Sequence, residues 1–485
     1  TIAKYRLAPQ WSSASKEELK KTLIDCKPME TEKRRDLTDL EFVSIDAAKT
    51  QDIDDALYAE ISDGGWTLFV AIADPTAYID ANSKLRRDVA VRSTSIYFHG
   101  NVLPMLPEEL AQDTCALSEG VNRAALVCKI AVTDGGEVGD FEFIEATVRS
   151  RGKLSYYAVD RYISGRYDEL MSHSTPLETL YQIYRALRSR REEQGLVMED
   201  RQDFRWILNE SKQIETIEPS EKLLSQKLVE ECMVAANQCA ARFLIEHNAS
   251  GPFVSHPGFR ADRKDEVDKF LTLHAPELAT LDTDSVSGYR DIMRGLAAPT
   301  SALPLRTMVN RLLTRAVLTT KPSPHMGMAL PSYTNCTSPL RKYSDFLVHL
   351  QIKAALNGAP AQLVDSKILV ELMQRLAVSR SATQEAERWL ASNYVSKIAK
   401  DNDNIFKATI THVTSSGFNA RLNNNGLTGF VDLRKDPEKF SYDKWTASLT
   451  STTRRFQLGQ AVDLNFIGVG QEVIYQTLFK PIADC

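Results

Sequence analysis

The stretch SIDAAKTQDIDDAL, residues 44–57, places four aspartates, Asp46, Asp52, Asp54 and Asp55, directly behind an alternating apolar run, LEFVSI. Four carboxylates packed this closely repel one another unless a positive group sits among them, some take up protons, or water keeps them apart. The flanking pattern decides the fold. LEFVSID and ALYAEI read as strands, and an SDGG turn joins the second to WTLFVAIAD as a hairpin. AALVCKIAVTDGGEVGDFEFIEATVRS repeats the logic of strand, DGG turn and strand. From about residue 154 the chain turns helical. Residues 220–247 are apolar on most faces and Ala-rich, which predicts a buried central helix. Residues 365–400 predict a long helical region with a break near Ser379–Ser381. Strands in two batches with a helical half give an α+β fold rather than a doubly wound sheet.

After residue 401 the sequence alternates with period two and is punctuated by SSG and NNNG, with about five strands in the last 85 residues. That size suits an OB-type barrel, a fold that often binds single-stranded nucleic acid. On pattern alone, a β module with no ligand is an equal reading. Residues 1–38 are polar and helix-prone, a lead-in segment.

Composition narrows the classes. The chain has 485 residues, 43% hydrophobic and 25% charged, an ordinary globular balance with room for several domains. No apolar run approaches the roughly 20 residues that span a bilayer, and no signal peptide opens the sequence, which starts at Thr1 rather than Met. The seven cysteines form no CxxC pair and the eight histidines show no ligand spacing, so reduced cytoplasmic thiols are expected and a zinc site is not. Net charge is −5, so any site for a polyanion must be a local basic channel.

Three readings compete for the aspartates. One is a solvated turn in which Asp caps and bends the chain. A calcium loop of EF-hand type fails, lacking Gly at its sixth place and Glu at its twelfth. A magnesium site fits the chemistry, since hard divalent cations prefer carboxylate oxygens and two ions about 4 Å apart need several carboxylates from one small region. Asp46 closes a strand, and period two puts Asp52 and Asp54 on one strand face with Asp55 adjacent.

DLTDLEFVSIDAAKTQDIDDALYAE, LFVAIADPTAYI, TSIYFHGNVLPMLP and YTNCTSPLRKYSD closely resemble the catalytic RNB domain of bacterial ribonuclease II, from about residue 36 to the end and in the same order. The resemblance implies a lead-in at 1–35, an RNB catalytic domain of mixed sheet and helices at 36–400, and an OB-fold barrel at 401–485. It implies a processive, hydrolytic 3′→5′ exoribonuclease that releases nucleoside 5′-monophosphates from single-stranded RNA, with Mg²⁺ (or Mn²⁺) as cofactor and no nucleotide cofactor, in a cytoplasmic monomer. Enzymes of that family also carry two cold-shock-like barrels before the catalytic domain, a pattern the lead-in does not show.

The resemblance also carries roles to positions. Asp46, Asp52, Asp54 and Asp55 match the acidic positions that hold Mg²⁺, Asp54 being the one closest to the chemical step. Tyr97 matches an aromatic stacked on the terminal base, where a ring grips any base by its π-face; a half-buried core tyrosine is the bland reading. The second clamp position holds Met198, which packs but lacks a π-face. Tyr156 and Glu230 match groups that contact ribose, and the 2′-hydroxyl is how a protein tells RNA from DNA. Adjacent Glu231 leaves the glutamate ambiguous. Arg341 matches the arginine at the scissile phosphate, with a surface pair with Lys342 as the alternative. Glu387 matches an acidic residue beside the cavity; an exposed helix glutamate near Arg388 is nearly as good a reading. Asp74 reads as structural. The rivals are a non-catalytic RNA-binding or scaffolding protein on the same fold, and a nuclease acting on single-stranded DNA.

Overall fold

The computed structural model describes residues 1–7, 10–25, 33–80, 82–166, 170, 173–194, 203–298, 301, 303–359, 363–401, 403–470, 473 and 475–482. Its frame is a six-stranded mixed sheet in the order Arg35–Asp36, Val138–Ser155, Phe42–Asp46, Asp55–Ser62, Gly65–Ala73, Asn122–Thr133. The 18-residue strand Val138–Ser155 pairs antiparallel with Asn122–Thr133 along its first part and parallel with Phe42–Asp46 along its second, so the sheet curls back on itself. Both expected hairpins form. Gly64 takes φ +74° in the first turn, and a Cβ on Gly65 would lie 2.1 Å from the Val132 carbonyl oxygen, so the SDGG turn needs its glycines.

WTLFVAIAD runs almost unbroken in apolar residues because both faces of its strand are covered. Leu68, Val70 and Ile72 face one core with Val43, Ile45 and Leu57; Phe69, Ala71 and Ala73 face another with Phe42 and Ala56. The predicted central helix, Leu224–Glu246, packs on the first face through Leu228, Cys232, Ala236 and Ala240. Small residues there let a helix lie close on the sheet. Residues 77–79 and 85–117 and the helix Tyr343–Leu356 cover the second face.

The long helix runs unbroken from Ser366 to Asp401, without the expected interruption at Ser379–Ser381. Ser379 is buried in the packed face, and Thr383 returns its hydroxyl to the Ser379 carbonyl at 3.1 Å, so the polar residues are absorbed by the helix itself. The C-terminal strands Phe406–Thr414, Gly417–Leu422, Thr428–Asp432, Ala461–Val469 and Thr477–Pro481 close a five-stranded barrel, as predicted. Its interior is continuous with the helices between Lys264 and Leu312 and with Leu390 and Val395 of the long helix. Two features were not anticipated: the hairpin Asp203–Leu208/Ile214–Ser220, and a small sheet of Ser441–Asp443, Ser448–Thr450 and Arg455–Gln457 beside the barrel. No described helix is long and apolar enough to cross a membrane.

Asp74 takes the structural place expected of it. It is fully buried and accepts hydrogen bonds from Arg34 Nη2 at 2.6 Å and Lys353 Nζ at 2.9 Å. Burial works against its charge, but Lys353 and Arg34 hold the carboxyl far below the usual range. Removing one partner of such a cluster strands a buried charge. Asp74→Asn should therefore cost about 3–5 kcal/mol of stability, whereas Asp74→Leu with Arg34→Met should lose much less. Thermal denaturation of the two variants beside wild type checks this; equal losses would mean that the charges are not the issue.

Candidate active site

The loop 47–54 leaves the strand end at Asp46 and returns to strand only at Asp55. Asp52 and Asp54 therefore sit on a loop, not on one strand face as period two suggested. The loop is nonetheless fixed. Ile53 is buried, its carbonyl accepts from Leu117 N at 3.0 Å, and the Asp54 carbonyl accepts from Ala73 N at 2.7 Å. Lys153 braces the outer part by donating its ammonium to the carbonyls of Ala48 (3.4 Å) and Thr50.

Opposite lies the irregular segment Tyr333–Lys342, held by side chains that include Asn237, Asp345 and Asp54. Asn237, on the central helix, donates Nδ2 to Tyr333 Oη at 3.0 Å and accepts from Cys336 N at 2.8 Å. Fully buried Asp345 accepts from Ser338 N at 3.0 Å. Asp54 accepts from Leu340 N at 3.0 Å and from Arg341 Nε at 2.9 Å.

Between these walls is a cavity of about 660 Å³. Asp46, Asp52, Asp54, Asp55, Tyr97, Tyr156, Glu230 and Arg341 all line it. Tyr97 projects from the hairpin Ile96–Phe98/Asn101–Leu103, nearly half exposed, and donates its hydroxyl to Asp52 Oδ2 at 3.3 Å. Tyr156 opens the helix Tyr156–Ile163, whose N-terminus is capped by Ser155 Oγ accepting from Ala158 N at 3.1 Å. Of the glutamate pair, Glu230 lines the cavity and pairs with Lys222, whereas Glu231 is buried and accepts from Arg191 at 2.6 Å. Glu387 lines a different cleft with Trp206 and Arg388, its carboxylate 4.0 Å from His99 Nε2. Met198 lies outside the described residues.

The walls also contain Asn237, Tyr333, Asn335 and Arg191, which sequence reasoning missed. Asn237 carried a usable signal: an amide on an Ala-rich buried helix needs partners, as a carboxylate there does. Of the basic residues nearby, Lys342 joins Arg341 in the wall; Arg149 and Arg151 instead bond Asn122 and the Thr38 carbonyl.

Charge in the cavity is unbalanced. Burial raises the Asp54 pKa to about 7 despite Arg341 and the Leu340 amide. Burial, then Asp54 and Asp46, raise that of Asp55 to about 8. Arg341 is the reverse case: burial opposes its charge, and Asp54 more than offsets this. A cluster of hard oxygen donors carrying uncompensated negative charge suits Mg²⁺ or Mn²⁺. Asp46, Asp52, Asp54 and Asp55 could hold such ions. Among the described residues no group of three or more acidic, His or Cys side chains is already drawn together as a metal cage, so the donors match in kind and would have to converge.

The RNB domain family model matches residues 34–358. Exoribonuclease 2 of Cronobacter sakazakii is 36% identical over 403 residues, 82% of this chain and 62% of that protein. Exoribonuclease 2 of Yersinia pseudotuberculosis is 35% identical over 404 residues with the same shares. The chain thus spans 62% of the length of these curated relatives. Among solved structures, Mycoplasma genitalium RNase R in complex with ribose-methylated single-stranded RNA superimposes with a TM-score of 0.84 at 20% identity, covering 99% of this chain and 77% of that one. Yeast Ssd1, described as a pseudonuclease, gives 0.67 at 18%, covering 88% and 54%.

The raised carboxyl pKa values fix a sign. Without a divalent cation Asp54 and Asp55 hold protons in the folded protein that they lose in the unfolded chain between the ordinary carboxylate range and pH 7–8. Their contribution to stability should therefore fall as pH rises through that window. A cation that binds only the folded form restores what is lost. Mg²⁺ should raise the melting temperature at pH 8 and have little effect at pH 5. Thermal scans in EDTA and in Mg²⁺ at both pH values check this; a Mg²⁺ shift equal at the two would contradict it.

Proposed function

The chain belongs to the RNB domain family, and on that premise we propose that it is a processive, hydrolytic 3′→5′ exoribonuclease that degrades single-stranded RNA to nucleoside 5′-monophosphates with Mg²⁺, or Mn²⁺, as cofactor. The observation that carries this reading is the single cavity holding all four aspartates together with Arg341, Tyr97, Tyr156 and Glu230. The exoribonuclease 2 relatives support it.

In this reading the exposed face of Tyr97 takes the terminal base and excludes water from it. Tyr156 and Glu230 face the sugar, a phenol able to donate or accept and a carboxylate that accepts. Arg341, fixed through Asp54, presents its guanidinium to the phosphate, where charge develops. The aspartates would hold the cation, which when bound supplies neutralisation of the phosphate and a more acidic water. The likeness to Ssd1 means that the fold alone does not separate a nuclease from a pseudonuclease. Four intact carboxylates in one cavity favour the enzyme.

We divide the chain into a lead-in at 1–35, the catalytic domain at 36–400 and an RNA-binding barrel at 401–485. The family match and the five barrel strands support this division. A cytoplasmic monomer completes the reading; the five described cysteines are buried free thiols, as a reducing compartment allows.

Asp54→Asn should abolish hydrolysis of 5′-labelled poly(A) while RNA still binds, and EDTA should do the same to wild type. Near-normal cleavage in either case would overturn the metal-assisted reading. A separate measurement tests the sugar contacts, since the cation meets only phosphate oxygens that RNA and DNA share. Tyr156→Phe combined with Glu230→Ala should narrow the ratio of kcat/KM on matched RNA and DNA oligonucleotides by about tenfold or more, with Mg²⁺ dependence unchanged. An unaltered ratio would move discrimination to other wall groups such as Asn237 or Asn335.

A further inference from the structure

Behind the wall that carries Tyr97 lies a second cavity, of about 360 Å³, between the N-terminal residues, the Tyr97 hairpin and the first half of the long helix. Three guanidinium groups, Arg6, Arg92 and Arg375, line it against one carboxylate, Glu371. Arg92 lies over the Trp11 ring, 3.9 Å from its centre, and donates Nη1 to the Pro104 carbonyl at 3.2 Å. Its Nη2 is buried without a hydrogen-bond partner among the described residues. Asp88, the acidic group that acts on Arg92, is already engaged by Ser12 N and Ser15 Oγ. Arg375 donates Nη1 to the Val91 carbonyl at 2.9 Å, a neutral acceptor. A pocket lined by three guanidinium groups and one carboxylate is a place for an anion, and forked guanidinium donors match phosphate oxygens. Val91, Leu103, Pro104 and Val378 add an apolar part of the wall that suits a flat body attached to that anion.

The cavity is also wired to the candidate active site. Thr94 lines it and donates Oγ1 to the Arg341 carbonyl at 3.0 Å. Ser95 N donates to the same carbonyl at 2.9 Å. Ile96 lines the cavity next to Tyr97.

We propose that this cavity is a regulatory site for a phosphomonoester bearing a flat apolar body, a nucleoside monophosphate, whose binding shifts the Thr94–Tyr97 segment and with it Arg341. The inference rests on the proposed RNA hydrolysis, which makes such a molecule the enzyme's own product. Product in the active site competes with RNA and raises KM alone. Product in the second cavity lowers kcat, because it acts without displacing RNA.

The test is steady-state hydrolysis of 5′-labelled RNA with AMP as the probe, beside adenosine and inorganic phosphate, in wild type and in Arg6→Gln/Arg375→Gln. Neither arginine lines the aspartate cavity, so activity without AMP should be unchanged. Wild type should show AMP lowering kcat, and the double variant should need about tenfold more AMP or greater for that effect, its competitive component remaining. Adenosine and phosphate should each act far more weakly than AMP. Arg6→Lys/Arg375→Lys, which keeps the charge without the fork, should fall between. Purely competitive inhibition in wild type, or an identical kcat effect in the glutamine variant, would overturn the proposal; phosphate acting as strongly as AMP would overturn the role of the apolar body. If wild type hydrolyses no RNA, the reading of the active site fails instead. AMP binding by calorimetry, lost or kept in the glutamine variant, then still decides the second cavity.

Discussion

One buried carboxylate ties the molecule together. Asp54 accepts from Leu340 N and Arg341 Nε, groups 286 and 287 positions away in the chain. The bond closes the gap between the aspartate loop and the Tyr333–Lys342 segment, and the cavity is what remains between them. The pair is not a strong source of stability, because burial of the carboxylate outweighs the attraction of the single cation. Its effect is on geometry: it sets where Arg341 can point and how close the remaining aspartates come to it.

The contrast with Asp74 shows how the same side chain does opposite work. Asp74 is as deeply buried as any group in the protein, yet two cations meet it directly and its charge is secure. Asp54 and Asp55 share one arginine between them, and burial pushes their carboxyls up to about 7 and about 8. The count of cations, rather than the depth of burial, separates a structural carboxylate from one that awaits a ligand. The second cavity has the mirror-image imbalance, with three guanidinium groups and one carboxylate.

Positioning of these charges depends on a scaffold packed on both sides of the sheet. The central helix brings Glu230 and Asn237 to the cavity on one side, and the helix after Lys342 anchors the arginine segment on the other. The long helix then joins this body to the barrel through a shared core. Glu387, on that helix, lies in a separate cleft beside the Asp203–Leu208 strand.

Much of this was legible in the sequence. Period two and Gly-rich turns specify the hairpins, an Ala-rich apolar run specifies the central helix, and four aspartates beside a strand end specify an unusual concentration of charge, because all three are local properties of the chain. The family resemblance supplied the pairing of those aspartates with Tyr97, Tyr156, Glu230 and Arg341, which no local pattern contains. Only the tertiary structure decided the rest. It put Asp52 and Asp54 on a loop, since Ile53 is drawn into the core there. It kept the long helix whole, since Ser379 is buried in a packed face. It chose Glu230 for the cavity and gave Glu231 to Arg191, and it recruited Asn237 and Tyr333 as wall residues. Burial, hydrogen-bond partners and the number of opposite charges within reach come from residues far apart in sequence, and they, not the residue types, determine which carboxylate is a strut and which is left unneutralised.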